Sequence, residues 1–110
     1  MTKKPNILVI RFSSIGDIIL TTPIIRCLKS QINAEIDFLT KSSYKNIIIS
    51  NPNIREVHTT SESSKTIEAL RSRHYDFIID LQNNFRSFKI RLILGVKSYT
   101  FPKYNFRRYL

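Results

Sequence analysis

An unbroken apolar run that ends in a polar loop constrains the fold of this chain more than any other feature. Residues 7–10 read ILVI, and the next seven read RFSSIGD, which bring a cation, two hydroxyls, a glycine and a carboxylate. An apolar run without alternation predicts a central parallel strand that is covered on both faces. The polar residues follow where such a strand passes into a helix, so they are either a helix start or the rim of a binding site.

Strand and helix patterns alternate along the rest of the chain. A second apolar run, YDFIIDL, also ends in a carboxylate, Asp80, before a polar loop. Pro23 would cost the first helix a backbone hydrogen bond and kink it, unless Thr22 restarts the helix as an N-cap. The predicted strands are 6–12, 35–40, 54–60, 75–81 and 97–101, and the predicted helices are 17–30, 43–50, 65–73 and 84–94, with a helical start at 105–110.

Helical periodicity indicates which side chains of these helices belong together. In the first helix it places Ile18, Ile19, Ile25 and Leu28 on the inner face. Cys27 is expected to be a small buried apolar residue. In the last helix the apolar stripe consists of Phe85, Phe88 and Leu92, and Gly95 is its C-cap.

The alternation of strands and helices predicts an α/β fold, a Rossmann-like doubly wound parallel sheet. Successive parallel strands need crossover helices, and these crossovers are right-handed. Ligands of such sheets bind beyond the carboxyl ends of the strands. The loops 11–17 and 80–86 follow the two most apolar strands, so both are candidates for the site.

Counts of particular residues exclude several classes of protein. The chain has two glycines, Gly16 and Gly95, so it contains neither the dinucleotide fingerprint G-x-G-x-x-G nor a P-loop. One cysteine and two histidines exclude a disulfide framework and a clustered Cys/His zinc site, so no metal site is expected. No run of 18 apolar residues occurs, and the sequence is interpreted as a cytoplasmic protein.

The net charge of +10 is concentrated towards the end of the chain. Residues 1–80 contain 11 Lys/Arg and 8 Asp/Glu, whereas residues 81–110 contain 7 Lys/Arg and no acid. Such a basic segment favours an anionic partner, whether nucleic acid, phosphorylated sugar or anionic lipid. A solvated basic face without a partner is the alternative.

Asp17 has two interpretations. A carboxylate in the first turn of a helix interacts favourably with the helix dipole, by a few tenths to about 1 kcal/mol. On this basis Asp17→Asn is expected to change stability by no more than about 1 kcal/mol. A carboxylate at the mouth of a central strand is also well placed to act as a general base towards a hydroxyl.

Two motifs in order resemble the N-terminal half of the family 9 glycosyltransferases, the bacterial lipopolysaccharide heptosyltransferases. The first is ILVIRFSSIGDIILTTPIIRCLK at 7–29, in which a strand leads into R/K-x-S-S-x-G-D and an apolar helix with T-T-P. The second is YDFIIDLQNNFRS at 75–87, in which a strand ends in D-L-Q/H-x-N-x-R-S. Many relatives have glycine where this chain has Asn83, and asparagine tolerates the left-handed backbone that such a turn needs.

The resemblance implies the acceptor side of a two-domain GT-B enzyme that inverts the anomeric centre. Residues 1–110 would form one incomplete Rossmann-like domain, inactive alone, without the C-terminal domain that binds the nucleotide-sugar donor, ADP-heptose. No cofactor is implied. Asp17 would be the catalytic base and Ser13, Ser14, Gly16, Gln82, Asn84, Arg86, Lys103 and Arg107 would contact substrate.

The implied acceptor is the anionic inner core of lipopolysaccharide, carried on a lipid. The basic residues near the end of the chain would meet its phosphates and carboxylates, or the inner membrane surface that bears it. Two alternatives remain open at this point. One is a small basic nucleic-acid-binding domain that stacks bases on Tyr and Phe, and the other is an inactive truncated fragment.

Overall fold

The chain folds into a five-stranded sheet with helices on both faces. The structure is a computed structural model and describes residues 4–60 and 63–100. Its elements, in chain order, are β1 (Asn6–Ile10), α1 (Ile15–Leu20), α2 (Thr22–Ile32), β2 (Glu35–Thr40), a 3-10 turn (Ser42–Tyr44), α3 (Lys45–Ile48), β3 (Glu56–Thr59), α4 (Ser63–Ser72), β4 (Phe77–Asp80), α5 (Phe85–Leu94) and β5 (Lys97–Thr100).

All strand pairings are parallel, in the order β3-β2-β1-β4-β5. The chain leaves β1 towards β2 and β3, and then crosses back to β4 and β5 on the other side. The direction of winding therefore reverses between β1 and β4, which is where a doubly wound sheet opens a crevice at its carboxyl edge. The predicted doubly wound parallel sheet is confirmed.

Two apolar layers hold the helices against the sheet. Leu8 and Ile10 of β1 point to one face, and Ile7 and Val9 point to the other. All four side chains are fully buried, as the unbroken ILVI run predicted. The first layer contains Ile18, Ile25, Ile36, Phe38, Ile48 and Ile79, and the second contains Phe12, Leu39, Leu70, Tyr75, Ile78 and Ile90.

The first predicted helix is divided in two. Thr21 separates α1 from α2, and its buried hydroxyl donates to the carbonyl of Ile18 at 2.6 Å. Pro23 then lies in the first turn of α2, where its missing N–H has no helical partner to lose. The restart was predicted, although its cap is Thr21 rather than Thr22. None of the helices in the described ranges has the length and apolar character to span a bilayer.

Several side chains lie elsewhere than the helical periodicity predicted. Ile19 is 53% exposed and Cys27 is exposed, so both predictions of burial were wrong. Ile18, Thr21 and Ile25 are all buried and are three and four residues apart, so the inner face continues across the break. Ile19 and Cys27 lie away from that face, because successive helical residues are about 100° apart. The end of the predicted fifth strand at 101 and the helical start at 105–110 lie outside the described residues.

Candidate functional site

The loops after β1 and β4 are held together at the carboxyl edge of the sheet. The side-chain oxygen Oε1 of Gln82 accepts hydrogen bonds from the backbone N–H groups of Phe12 at 3.0 Å and Ser13 at 3.4 Å. Arg11 donates from Nη1 to the carbonyl of Leu81 at 2.6 Å. The two sequence motifs therefore form one structural unit at the point where the winding reverses.

Asp17, in the first turn of α1, forms a buried ion pair with Arg11. Its Oδ2 is 2.8 Å from Nη2 of Arg11 and accepts a hydrogen bond from the hydroxyl of Ser14 at 3.1 Å. Arg11 is 1% exposed and Asp17 is 8% exposed. The carboxylate is thus fixed in position by Arg11, and it presents about a tenth of its side chain to the surface.

The ion pair with Arg11 changes the loss of stability expected for Asp17→Asn. The sequence analysis assigned Asp17→Asn a cost of no more than about 1 kcal/mol, from the helix dipole alone. A substitution that leaves a buried guanidinium without its carboxylate costs more, because the remaining charge is uncompensated. The expected cost of Asp17→Asn in stability is therefore greater than about 1 kcal/mol. The signal that could have shown it is a cation placed directly after a fully apolar strand.

The polar residues between the strand and α1 form an open rim. Ser13 is half-buried, and Ser14 and Gly16 are exposed. A Cβ built on Gly16 would have no atom within 4 Å, and the backbone there is ordinary helix. The fold itself therefore does not require a glycine at this position. What the glycine provides is close access to the backbone of the first turn of α1.

The second loop is ordered by its own side chains. Asp80, fully buried, accepts hydrogen bonds through Oδ1 from the N–H groups of Gln82 at 3.1 Å and Asn83 at 2.8 Å. Asn83 has φ of 50°, which confirms the predicted left-handed turn. Asn84 caps α5 by accepting from the N–H of Ser87 at 2.9 Å. Its oxygen thus has a local structural role, whereas its substrate contact remains a prediction.

A cleft of about 410 Å³ opens between α4 and α5. Arg86 lines it, exposed, with its guanidinium carbon 5.7 Å from the centre of the Phe12 ring. Asp17 and the Ser13–Gly16 rim are not part of its lining, so the cleft and the ion pair are separate features of the carboxyl edge. The predicted contacts Lys103 and Arg107 lie outside the described residues. The other residues that line the cleft are Leu39, Thr60, Thr66, Ile67, Phe85, Lys89, Ile90 and Ile93.

A buried polar network that sequence reasoning missed centres on Asp37 of β2. Arg55 donates two hydrogen bonds to its carboxylate, at 2.9 and 3.1 Å, and the Tyr75 hydroxyl donates a third at 2.6 Å. His58 lies 3.5 Å from the same carboxylate. The signal was weak, because Asp37 interrupts an apolar strand but its three partners are scattered along the sequence.

This network includes three groups that could ligate a metal ion. Ligand atoms of Asp37, Glu56 and His58 lie within 4.8 Å of one another. However, Arg55 forms a two-pronged ion pair with Asp37, and Arg73 pairs with Glu56. Guanidinium groups therefore already neutralise both carboxylates, and the arrangement fits an internal ion-pair network better than a cation site.

We expect the Asp37 network to lose its stabilising effect in acid. Burial disfavours the ionised form, but hydrogen bonds from His58, Arg55 and Tyr75 outweigh it and lower the pKa of Asp37 from 3.8 to about 2. A lowered pKa stabilises the fold above the unfolded-state value, and this contribution, about 2 kcal/mol, disappears as pH falls from about 4 to about 2. Urea unfolding of the wild type and Asp37→Asn across this range measures it. A difference between them that is constant with pH would contradict the assignment.

Comparison with known proteins adds a structural likeness. No family model matches the chain, and no curated protein matches it in sequence. The E. coli ADP-heptose lipopolysaccharide heptosyltransferase II superposes with a TM-score of 0.75 at 26% identity, over 86% of this chain and 30% of that one. A family 9 glycosyl transferase from Veillonella parvula superposes with a TM-score of 0.70 at 22% identity, over 100% of this chain and 36% of that one. E. coli heptosyltransferase WaaC with ADP-2-deoxy-2-fluoro heptose superposes with a TM-score of 0.71 at 19% identity, over 86% of this chain and 35% of that one.

The fold is that of a GT-B glycosyltransferase domain. The match covers nearly all of this chain but only about a third of each of these three proteins. The chain is therefore glycosyltransferase-like in structure and corresponds to one part of such an enzyme.

Proposed function

We propose that this chain is the acceptor-binding half of an inverting glycosyltransferase. The observation that carries the proposal is the joined pair of loops at the reversal point of the sheet. Arg11 donates to the carbonyl of Leu81 there, and Gln82 accepts hydrogen bonds from the N–H groups of Phe12 and Ser13. Within the first loop, Asp17 pairs with Arg11 and accepts a hydrogen bond from Ser14. A crevice at this point is where doubly wound folds bind their ligands.

The proposed chemistry uses Asp17 as a general base. As the acceptor hydroxyl attacks the anomeric carbon of the donor sugar, a C–O bond forms on one face. The bond from that carbon to the nucleotide diphosphate breaks on the other face, so the configuration inverts. The hydroxyl proton passes to the Asp17 carboxylate. Arg11 and Ser14 hold this carboxylate in place, which restricts its orientation before the acceptor arrives.

The donor side of the reaction belongs to a second domain in this proposal. The negative charge that develops on the leaving diphosphate has to be stabilised where it appears. The nucleotide-sugar, which we propose to be ADP-heptose, would be bound by that second domain, and this chain alone would not transfer sugar. The acceptor would be an anionic inner-core sugar of lipopolysaccharide, which suits a chain with a net charge of +10.

The proposal is tested by asking which ligand the isolated chain binds. A deacylated inner-core oligosaccharide that bears phosphates and carboxylates, ADP-heptose and a single-stranded oligonucleotide are each titrated calorimetrically into the protein. We expect the oligosaccharide to bind and ADP-heptose to show no binding at the same concentrations. Binding of ADP-heptose instead of the oligosaccharide would contradict the acceptor assignment. Salt-sensitive binding of the oligonucleotide alone would favour a nucleic-acid-binding domain.

A pair of variants locates the binding to this edge. Arg86→Gln removes an exposed cation beside the second loop and is expected to weaken oligosaccharide binding by about tenfold. Lys45→Gln removes an exposed cation on α3 and serves as the matched control, with unchanged affinity. Equal losses in the two variants would indicate non-specific attraction to the overall charge.

A further inference from the structure

Four buried side-chain atoms have no hydrogen-bond partner among residues 4–60 and 63–100. They are Nε of Arg11, Oγ1 of Thr40, Oδ2 of Asp80 and Nε of Arg91. The last two atoms are 3.0 Å apart and neutralise each other as an ion pair. A buried polar group without a partner is costly, and such groups are uncommon in folded proteins. The atoms that need an explanation are therefore those of Arg11 and Thr40.

Arg11 and Thr40 lie side by side at the carboxyl edge of the sheet. Strand β1 pairs with β2 so that Ile10 is opposite Leu39, and the N–H of Arg11 donates to the carbonyl of Leu39 at 3.1 Å. The next pair in this register is Arg11 and Thr40. Because side chains alternate along a strand, both point to the same face of the sheet, which α1 and α2 cover.

The guanidinium of Arg11 is held through two of its three nitrogens. Nη1 donates to the carbonyl of Leu81, just after β4, at 2.6 Å, and Nη2 is 2.8 Å from Asp17. Strands β2 and β4 flank β1 on opposite sides, so Leu81 holds the guanidinium from one side and Thr40 lies on the other. Nε carries one N–H donor, and a threonine hydroxyl offers two acceptor lone pairs. The two atoms are therefore chemically complementary.

We propose that Thr40 is a positioning residue for Asp17, acting through one internal water molecule and Arg11. The N–H of Nε donates to this water, which donates in turn to Oγ1 of Thr40. Internal waters typically join buried polar groups that lie near each other without a direct hydrogen bond. Three contacts then fix the planar guanidinium, and the guanidinium fixes the carboxylate. The inference rests on the proposed role of Asp17 as the general base.

The burial of both residues limits what can lie between them. Arg11 is 1% exposed and Thr40 is 0% exposed, so a substrate oxygen does not reach either atom from the surface. A water molecule is small enough for a closed site between two adjacent polar groups. Thr40 thus differs from Ser13 and Ser14, which lie on the open rim and are predicted to contact substrate.

The stability of the isolated chain tests this contact without reference to catalysis. Thr40→Val replaces the hydroxyl with a methyl group of similar size. If the hydroxyl had no partner, the substitution would stabilise the fold, because a buried unsatisfied group would disappear. We expect the opposite, an increase of about tenfold in the equilibrium constant of unfolding, because Nε of Arg11 loses its partner.

A second background shows whether this effect passes through Arg11. In Arg11→Met/Asp17→Leu, which contains no guanidinium at this position, Thr40→Val should not raise the equilibrium constant of unfolding. Urea unfolding measures the constant in both backgrounds. The proposal would be overturned if Thr40→Val is at least as stable as the wild type, or if the increase is the same in both backgrounds.

The Hε proton of Arg11 reports on the contact directly, and its resonance is assigned by its loss in Arg11→Lys. We expect Hε to exchange with solvent at least about tenfold faster in Thr40→Val than in the wild type, and Thr40→Ser to retain the slow exchange. Thr21→Val is the matched control, because Thr21 is equally buried but its hydroxyl donates to Ile18. Equal acceleration in Thr21→Val would contradict the contact. A nuclear Overhauser effect between Hε and water is expected, and its absence would overturn the bridge.

Turnover of a two-domain protein that contains this chain measures the effect on Asp17. We expect Thr40→Val to lower kcat about tenfold and to leave KM within about twofold, because the base is less well held while the acceptor contacts remain. Thr40→Ser should restore kcat. An unchanged kcat in Thr40→Val, where Asp17→Asn does lose turnover, would overturn the positioning role. If Asp17→Asn also keeps its turnover, the general-base proposal fails and the positioning role fails with it, whereas unfolding and exchange still decide whether Thr40 contacts Arg11.

Discussion

Replacing Arg11 with methionine is expected to destabilise the domain by about 3–5 kcal/mol. The substitution leaves Asp17 buried and charged without its guanidinium partner, which lies 2.8 Å away in the wild type. It also removes the 2.6 Å hydrogen bond to the carbonyl of Leu81 that joins the two loops. Urea unfolding followed by circular dichroism measures the change in the free energy of unfolding.

Two variants separate the buried pair from general effects of charge. Arg11→Met/Asp17→Leu removes both charges, and we expect it to be more stable than Arg11→Met, because no unpaired charge remains in the interior. Lys4→Met removes one member of an exposed pair with Glu35 and should cost less than about 1 kcal/mol. A cost for Arg11→Met as small as that for Lys4→Met would contradict the buried ion pair.

Asp17→Asn is expected to reduce turnover by about 10²–10⁴-fold when this domain acts beside a donor-binding domain. The amide has nearly the same shape as the carboxylate but cannot accept the proton of the acceptor hydroxyl. The measurement is the rate of sugar transfer in a two-domain protein that contains this chain, at a temperature where unfolding curves show the variant to be folded.

The control for this experiment has to account for the structural role of Asp17. Arg11→Lys keeps a cation near the carboxylate while it alters the geometry of the pair, and we expect its turnover to stay within about tenfold of the wild type. If Asp17→Asn also stays within about tenfold, Asp17 is only a partner of Arg11, and the base has to be sought elsewhere.

The sheet was predictable because its strands differ sharply in hydrophobicity from the loops between them. ILVI and FIID are the central strands β1 and β4, and the polar motifs after them meet at the carboxyl edge. The two strands follow from the local pattern of apolar residues, and the meeting of the loops follows from the geometry of parallel sheets. The cap at Gly95 was also predictable, because few residues tolerate a positive φ. The left-handed turn at Asn83 was expected from the family resemblance, whereas the positive φ of Asn33 and His74 was not predicted.

The features that the sequence did not reveal depend on contacts between distant residues. Arg11 and Asp17 were both noticed, but the burial of their ion pair was not, and Arg11 also bonds to Leu81, 70 positions away. The Asp37 network joins residues that are 17 to 38 positions apart. The outward direction of Phe85 and Leu92 was hidden because α5 is apolar on two sides, and periodicity alone does not say which side faces the sheet.

Selective labelling of glycine tests most directly whether the acceptor binds at the edge between β1 and β4. The chain contains two glycines, and Gly16 lies at this edge, whereas Gly95 ends α5 at the opposite edge of the sheet. The ¹⁵N-glycine spectrum of the protein therefore contains one reporter for each edge. On addition of the deacylated inner-core oligosaccharide, we predict that the Gly16 resonance moves and that the Gly95 resonance does not. Movement of Gly95 alone, or of neither resonance under conditions where calorimetry shows binding, would contradict the account.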